Sequence, residues 1–350
     1  MNLQQRDSNA DFIRNIAMLM VCILHVSSMS GFSDLTYETD FYGKHISNTW
    51  LSPCRIAVNL YAMLTGYLCI NKKWNPQRYI ELWLQVCFYS FILYIPAIVM
   101  GEYKLSLFSV FFIANPTIGL YWYFAAYTGL YILIPFINKG LLALSKSQFQ
   151  YLITFLIVVY SGLSCLGPAA ISQDGHNAVW LTILYIIGAY IKMYPVSVKT
   201  KYLILCYIVM SAITYWALIR QGFLEKRLFW GYSSISTTLG AMAFFVISTR
   251  INFSSAPAKR ILMQLSPMAF GVFLIHTHPF VWSQLQLITR QLAEANNYSW
   301  WCIPFAAIVI YIVCSVIDWV RIKFFQLVHI KQLSAFITSR LPSGIKKLED

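Results

Sequence analysis

Charge is what this sequence has least of. Asp, Glu, Lys and Arg make up only 11% of its 350 residues, while 58% are hydrophobic and 17% aromatic. Soluble domains carry about 25% charged residues, so a water-facing exterior does not fit this composition. Catalytic signatures of soluble enzymes are missing too. There is no GxSxG elbow, no P-loop and no DxD pair, and no histidine is followed by an acid five positions later. The eight cysteines are scattered, mostly inside apolar runs, and form no CxxC pair, which excludes a zinc or disulfide framework. His276 and His278 point to different helix faces, so no metal site is expected. The acids near apolar runs are Glu81 and Asp318, both at run ends, so the intramembrane carboxylate relay common in proton-driven transporters is absent. The first residues, MNLQQRDSNADF, lack the short apolar core and small-residue cleavage site of a signal peptide. The first apolar run is therefore expected to act as its own insertion signal.

What is present is a series of apolar runs, each near the roughly 20 residues that cross a bilayer core. They predict an all-α polytopic membrane protein of about ten transmembrane helices, centred near residues 21, 62, 90, 128, 158, 185, 211, 240, 272 and 311. No repeat of fixed period stands out. A single membrane domain is expected over 1–330, followed by a basic cytoplasmic tail over 331–350. The longest polar stretch between runs, near 31–52, reads as a loop. The net charge of +13 would suggest nucleic acid in a soluble protein. Here it follows topology: eighteen of the 26 Lys and Arg fall on one side of the alternating runs and seven on the other, with Arg14 in or near the first run. The positive-inside rule then places both termini in the cytoplasm. The segment from Arg220 to Arg227 dissents, with three basic residues on the outer side.

Within the first run, DFIRNIAMLMVCILHV, Arg14 and His25 stand eleven residues apart. On a straight helix they share a face and are separated by about 16 Å. A snorkelling anchor would explain Arg14 alone, and a hydrogen-bonded structural histidine would explain His25 alone. Two costly groups on one face, with Asn15, Ser27 and Ser28 nearby, read better as a polar stripe facing a cavity. Imidazole can accept a proton near neutral pH, and a guanidinium fork suits phosphate. The pair therefore reads as a path from a phosphorylated cytoplasmic donor at Arg14 to a reaction deeper in the membrane at His25.

An Arg-x10-His pair in the first of about ten spans resembles the acyltransferase 3 family of integral-membrane O-acyltransferases. SPCRIAVNLYAMLTGYL, 52 to 68, is similar to that family's second-span pattern through Arg55, Gly66, Tyr67 and Leu68. GLYWYFAAYTGLYILIPFI, 119 to 137, is similar through Trp122, Tyr131 and Pro135, and LSPMAFGVFLIHTH, 265 to 278, through Ser266, Gly271 and His276. The likeness runs in order along nearly the whole chain and is greatest to members acting on bacterial surface glycans. Asn59, Tyr61-Ala62, Thr65 and Phe273 depart from the family pattern without removing the Arg–His pair.

The resemblance implies transfer of an acyl group, most often acetyl, from acetyl-CoA to a sugar hydroxyl of a surface polysaccharide or its lipid-linked precursor. It implies a multi-pass protein of the bacterial inner membrane, contacting membrane lipids and a glycan acceptor, with no nucleic acid partner. Arg14 would hold the donor's phosphates or orient its thioester. His25 would deprotonate the acceptor hydroxyl or carry the acyl group itself. Substrate contacts are expected at Arg55, Trp122, Tyr131, His276 and Ser266. Each has a plainer reading as an interface arginine, an aromatic-belt residue or a polar helix contact. The outer segment with Asp34, Glu38, Asp40 and His45 could orient His25 or meet the acceptor, or be solvated loop. Two other classes compete: a transporter moving a lipid-linked glycan or small solute without bond chemistry, and a membrane scaffold for glycan assembly.

Overall fold

A computed structural model describes residues 7–35, 40–101, 120–163, 173–220 and 228–342. The described residues are helical and contain no strand. In chain order the α-helices are α1 (Ser8–Met29), α2 (Phe41–Cys54), α3 (Ala57–Cys69), α4 (Pro76–Ile92), α5 (Tyr94–Val99), α6 (Trp122–Leu142), α7 (Lys146–Ile157), α8 (Ala178–Met193), α9 (Thr200–Arg220), α10 (Ile235–Thr249), α11 (Ala256–Leu265), α12 (Ala269–His276), α13 (Pro279–Ala295), α14 (Cys302–Leu327) and α15 (Ile330–Ser339). Among the described residues, six segments are long and apolar enough to cross a membrane: α1, the α4–α5 pair, α6, α9, the α11–α12 pair and α14. Helices α8 and α10 are apolar but shorter. Positions 221–227 of the dissenting basic segment, 36–39 of the outer segment and 343–350 of the tail lie outside the described residues, as does the stretch 164–172.

Side-chain caps and proline explain where these helices begin and bend. The Asp7 carboxylate accepts from the amides of Asn9 and Ala10 at 3.0 and 3.1 Å and starts α1. Asn75 caps α4, with Pro76 in its first turn, and Ser145 with Gln148 forms a capping box on α7. Pro96 can give no amide hydrogen bond to the turn before it, and the α4–α5 segment breaks at Leu93. Pro267 acts likewise between α11 and α12, where Ser266–Met268 form one 3-10 turn.

The stretch 31–52 was expected to be a loop, and the structure corrects this: most of it is α2, capped by Asp40, whose carboxylate accepts from Gly43 N at 2.9 Å. Its fully buried residues are Gly43, Ser47, Asn48, Ser52 and Cys54, while its large apolar residues Ile46, Trp50 and Leu51 are only partly buried. Ser47 and Ser27 of α1 share a hydrogen bond at 2.8 Å. A helix that buries its small polar face leaves little hydropathy signal.

Helix α1 is the hub. It packs against α2, α3, α10, α11, α12, α13 and α14. Helices α3 and α8 pack backbone against backbone, and here two glycines are required. A Cβ on Gly66 would run into the carbonyl of Tyr185, and one on Gly188 into that of Met63. This approach fixes α3, which carries Tyr61 and Thr65, against α8, and α3 packs against α1 as well. The outer faces are apolar. Ile312, Val313, Val316, Trp319 and Val320 of α14 are exposed, as are Tyr202, Leu205 and Ile208 of α9, the surface a lipid environment demands.

Candidate functional site

Arg14 and His25 do face one side of α1, and each opens onto a cavity. The larger, about 690 Å³, is lined by Asp11, Arg14, Tyr61, Thr65, Lys72, Lys73, Arg78, Tyr123, Tyr127, Tyr131, Ser266 and Phe270, among others. That volume lies within the ~300–1,000 Å³ typical of small-molecule sites. The smaller, about 60 Å³, is lined by Met18, Val21, Leu24, His25, Val58, Tyr61, Trp122, Tyr123, Tyr232, Phe270 and Phe273. Tyr61, Tyr123 and Phe270 line both. The two spaces therefore adjoin across three aromatic side chains.

At the wide end, Arg14 Nη1 donates to Ser266 Oγ at 2.5 Å and to Asp11 Oδ1 at 3.3 Å. The 3-10 turn at Pro267 brings Ser266 to this point. Tyr61 reaches across from α3 and donates its hydroxyl to the Arg14 carbonyl at 2.7 Å. Next along α1, Asn15 donates to the Leu262 carbonyl at 3.0 Å and accepts from the Tyr311 hydroxyl at 3.2 Å, so α1, α11 and α14 are pinned together beside the arginine. Arg14 keeps a quarter of its side chain exposed while Asp11 is buried. The guanidinium, held by Ser266 and Asp11, lines a cavity that also holds Lys72, Lys73 and Arg78. Such a site attracts anions.

At the narrow end the surroundings are aromatic. The His25 ring meets Trp282 edge-on at 5.3 Å between centroids, and its Nδ1 lies 2.8 Å from Nε2 of His276. His276 is 1% exposed and places its own Nδ1 2.6 Å from the Val272 carbonyl. It lies behind His25 and is not among the lining residues of either cavity.

The other sequence candidates fall into two groups. Tyr131 lines the large cavity, although its hydroxyl is occupied by the Asn75 carbonyl at 2.7 Å. Trp122 lines the small one and joins a ring cluster with His176 and Tyr232, at centroid distances of 4.5 and 6.1 Å. Arg55 belongs to the same cluster. Its guanidinium is clamped between the rings of Trp230 and Tyr232, 4.0 and 4.1 Å from their centroids, and Nε donates to the Trp230 carbonyl at 2.9 Å. Tyr121 is buried, with its hydroxyl on the Leu274 carbonyl at 3.0 Å. In the outer segment, Asp40 caps α2 and His45 bonds to the Tyr215 hydroxyl. Asp318, expected at a run end, is fully buried, held by Arg321 in a two-point pair at 3.0 and 2.7 Å and by the Tyr89 hydroxyl at 2.7 Å.

Three features escaped the sequence reading. Asp11 is a buried acid at the head of α1, and its signal was present three residues before Arg14. Tyr61, noted only as a departure from a pattern, lines both cavities. The contact between His25 and His276 joins residues 251 positions apart, and a single sequence carries no sign of it.

A family model described as an acyltransferase domain, acyltransferase 3, matches residues 7–319. No curated protein and no solved structure matches the chain.

Proposed function

The chain belongs to the acyltransferase 3 family and is a membrane acyltransferase; from that premise we propose that it moves an acetyl group from acetyl-CoA to a hydroxyl of a surface glycan or its lipid-linked precursor. The observation that carries this reading is the pair of adjoining cavities along one side of α1, basic at Arg14 and aromatic at His25. The wide cavity suits the donor. Lys72, Lys73 and Arg78 would meet its phosphates, and Arg14, steadied by Ser266 and Asp11, would orient the part that reaches inward. The narrow cavity, beside His25, would take the acyl group. The acceptor would then approach from the opposite side, across Trp122 and Tyr232, with Arg55 beside them.

In this reading His25 takes the proton from the acceptor hydroxyl as that oxygen attacks the thioester carbonyl. The carbon–sulfur bond breaks, and the proton returns to the departing thiolate. In a two-step variant the imidazole holds the acyl group between donor and acceptor. Label retained on the protein when the acceptor is omitted, and absent from His25→Ala, would select the two-step route.

The Arg14 mouth is read as cytoplasmic, because the basic residues lining it belong to the side favoured by the positive-inside rule. All ten apolar runs would then cross the bacterial inner membrane, with both termini in the cytoplasm. The test is direct: purified wild type and His25→Ala, matched for thermal stability, are given radiolabelled acetyl-CoA and a panel of lipid-linked and short glycans. Label enters the glycan with the wild type and not with the variant. Equal transfer by both would remove His25 from the chemistry.

A further inference from the structure

The hydrogen bonds behind His25 can run in only one direction. The Val272 carbonyl accepts and cannot donate, so the proton in its 2.6 Å contact with His276 sits on His276 Nδ1. A neutral imidazole carries one N–H, which leaves His276 Nε2 as a lone pair. That lone pair lies 2.8 Å from His25 Nδ1, so His25 supplies the proton between them. With Nδ1 protonated, the remaining nitrogen of neutral His25 is an unprotonated Nε2. The hydrogen bond His25 makes among the described residues is at Nδ1, and His25 lines the narrow cavity.

We propose that His276 is a positioning residue for the reaction: it fixes His25 in the Nδ1–H tautomer, so that Nε2 faces the substrate as an available base. The inference rests on the acyl-transfer reading and adds to it the atom that reacts and the group that presents it. A backbone carbonyl sets the whole chain, through Val272 to His276 and then to His25. Helix geometry makes the first link dependable, because Val272 and His276 are one turn apart on α12. Trp282, edge-on from α13, limits rotation of the His25 ring from another side.

The arrangement also closes the proton balance. When Nε2 takes the acceptor's proton, His25 becomes an imidazolium whose Nδ1–H still points at the His276 lone pair. No second transfer is required, since the His276 proton stays on its own Nδ1, donated to the Val272 carbonyl. The same proton leaves Nε2 for the thiolate, and the pair returns to its starting state. His276 never touches substrate, which agrees with its full burial and its place outside both cavity walls.

Two readouts test this, and the first does not depend on activity. Protein labelled with [15N]histidine is compared by NMR with His25→Ala, whose missing resonances assign His25 among the six histidines. At a pH where His25 is neutral, Nδ1 should appear protonated and Nε2 unprotonated. An Nε2–H tautomer in the wild type would overturn the proposal even if acyl transfer were confirmed. The second readout is steady-state kinetics. His276→Leu should lower kcat by about 10²-fold, within the 10²–10⁴ that general-base catalysis typically contributes, while KM for acetyl-CoA stays within about twofold. His276→Gln, whose amide oxygen can accept the same hydrogen bond, should recover at least about tenfold of that loss. An unchanged kcat in His276→Leu, or a glutamine variant no better than leucine, would contradict a positioning role. If no acceptor is labelled by any variant, the acyl-transfer reading fails, and the tautomer measurement still decides the geometry.

Discussion

The two ends of the cavity system along α1 are built on opposite principles. At the Arg14 end the space is wide, basic and partly open, and the key side chain is held by a carboxylate and a hydroxyl. At the His25 end the space is small and ringed by aromatic and aliphatic groups, and the key side chain is held by a second imidazole. The first is suited to capturing a large anion from water. The second is suited to chemistry shielded from water by the surrounding rings. The same helix supplies both residues, so their separation is set by helix rise alone.

Mutations should break this contrast in a graded way. The largest effect is expected at the narrow end, where His25→Ala should cut acyl transfer by about 10²–10⁴-fold with little change in thermal stability; kinetics and a melting curve on the same preparation check this. Arg14→Ala comes next. Loss of its charged hydrogen bonds, about 1.5–3 kcal/mol, should reduce kcat/KM for the donor by roughly tenfold to 150-fold, and Arg14→Lys should recover only part because lysine lacks the planar fork. Tyr61→Phe removes one hydroxyl that ties α3 to the Arg14 carbonyl. A neutral hydrogen bond contributes about 0.5–1.5 kcal/mol, so a fall of several-fold in kcat/KM and a slightly lower Tm are expected. Smallest is Lys73→Gln at the cavity rim, a donor KM effect of a fewfold that shrinks as salt is raised from low to physiological ionic strength. A salt-insensitive effect there would mean that Lys73 does not meet phosphate.

How far the sequence could be read differs between these ends. The Arg14–His25 spacing was legible because helix periodicity turns eleven residues into a shared face, and α1 is straight enough to keep that rule. Each of the ten expected centres falls in a helical segment, although among the described residues six segments have the length and apolarity of membrane-crossing helices. Helix α2 was missed because its fully buried residues include Gly43, Ser47, Asn48 and Ser52, which hydropathy counts as loop. His276 could be singled out but not understood. Its meaning depends on a contact across the bundle, created where Pro267 ends α11 and α12 restarts. The partnership of Ser266 with Arg14 arises at the same break, between residues 252 positions apart.

The central claim is that an acyl group passes along α1 from a donor at the Arg14 mouth to an acceptor at the His25 end. Its most direct test uses the full chain reconstituted in sealed vesicles of known orientation, with labelled acetyl-CoA and a lipid-linked glycan supplied separately to each side. The account predicts label on the glycan when donor faces the Arg14 mouth and acceptor faces the opposite side, and none when the donor is moved across. Equal labelling with donor and acceptor confined together on either side would contradict it.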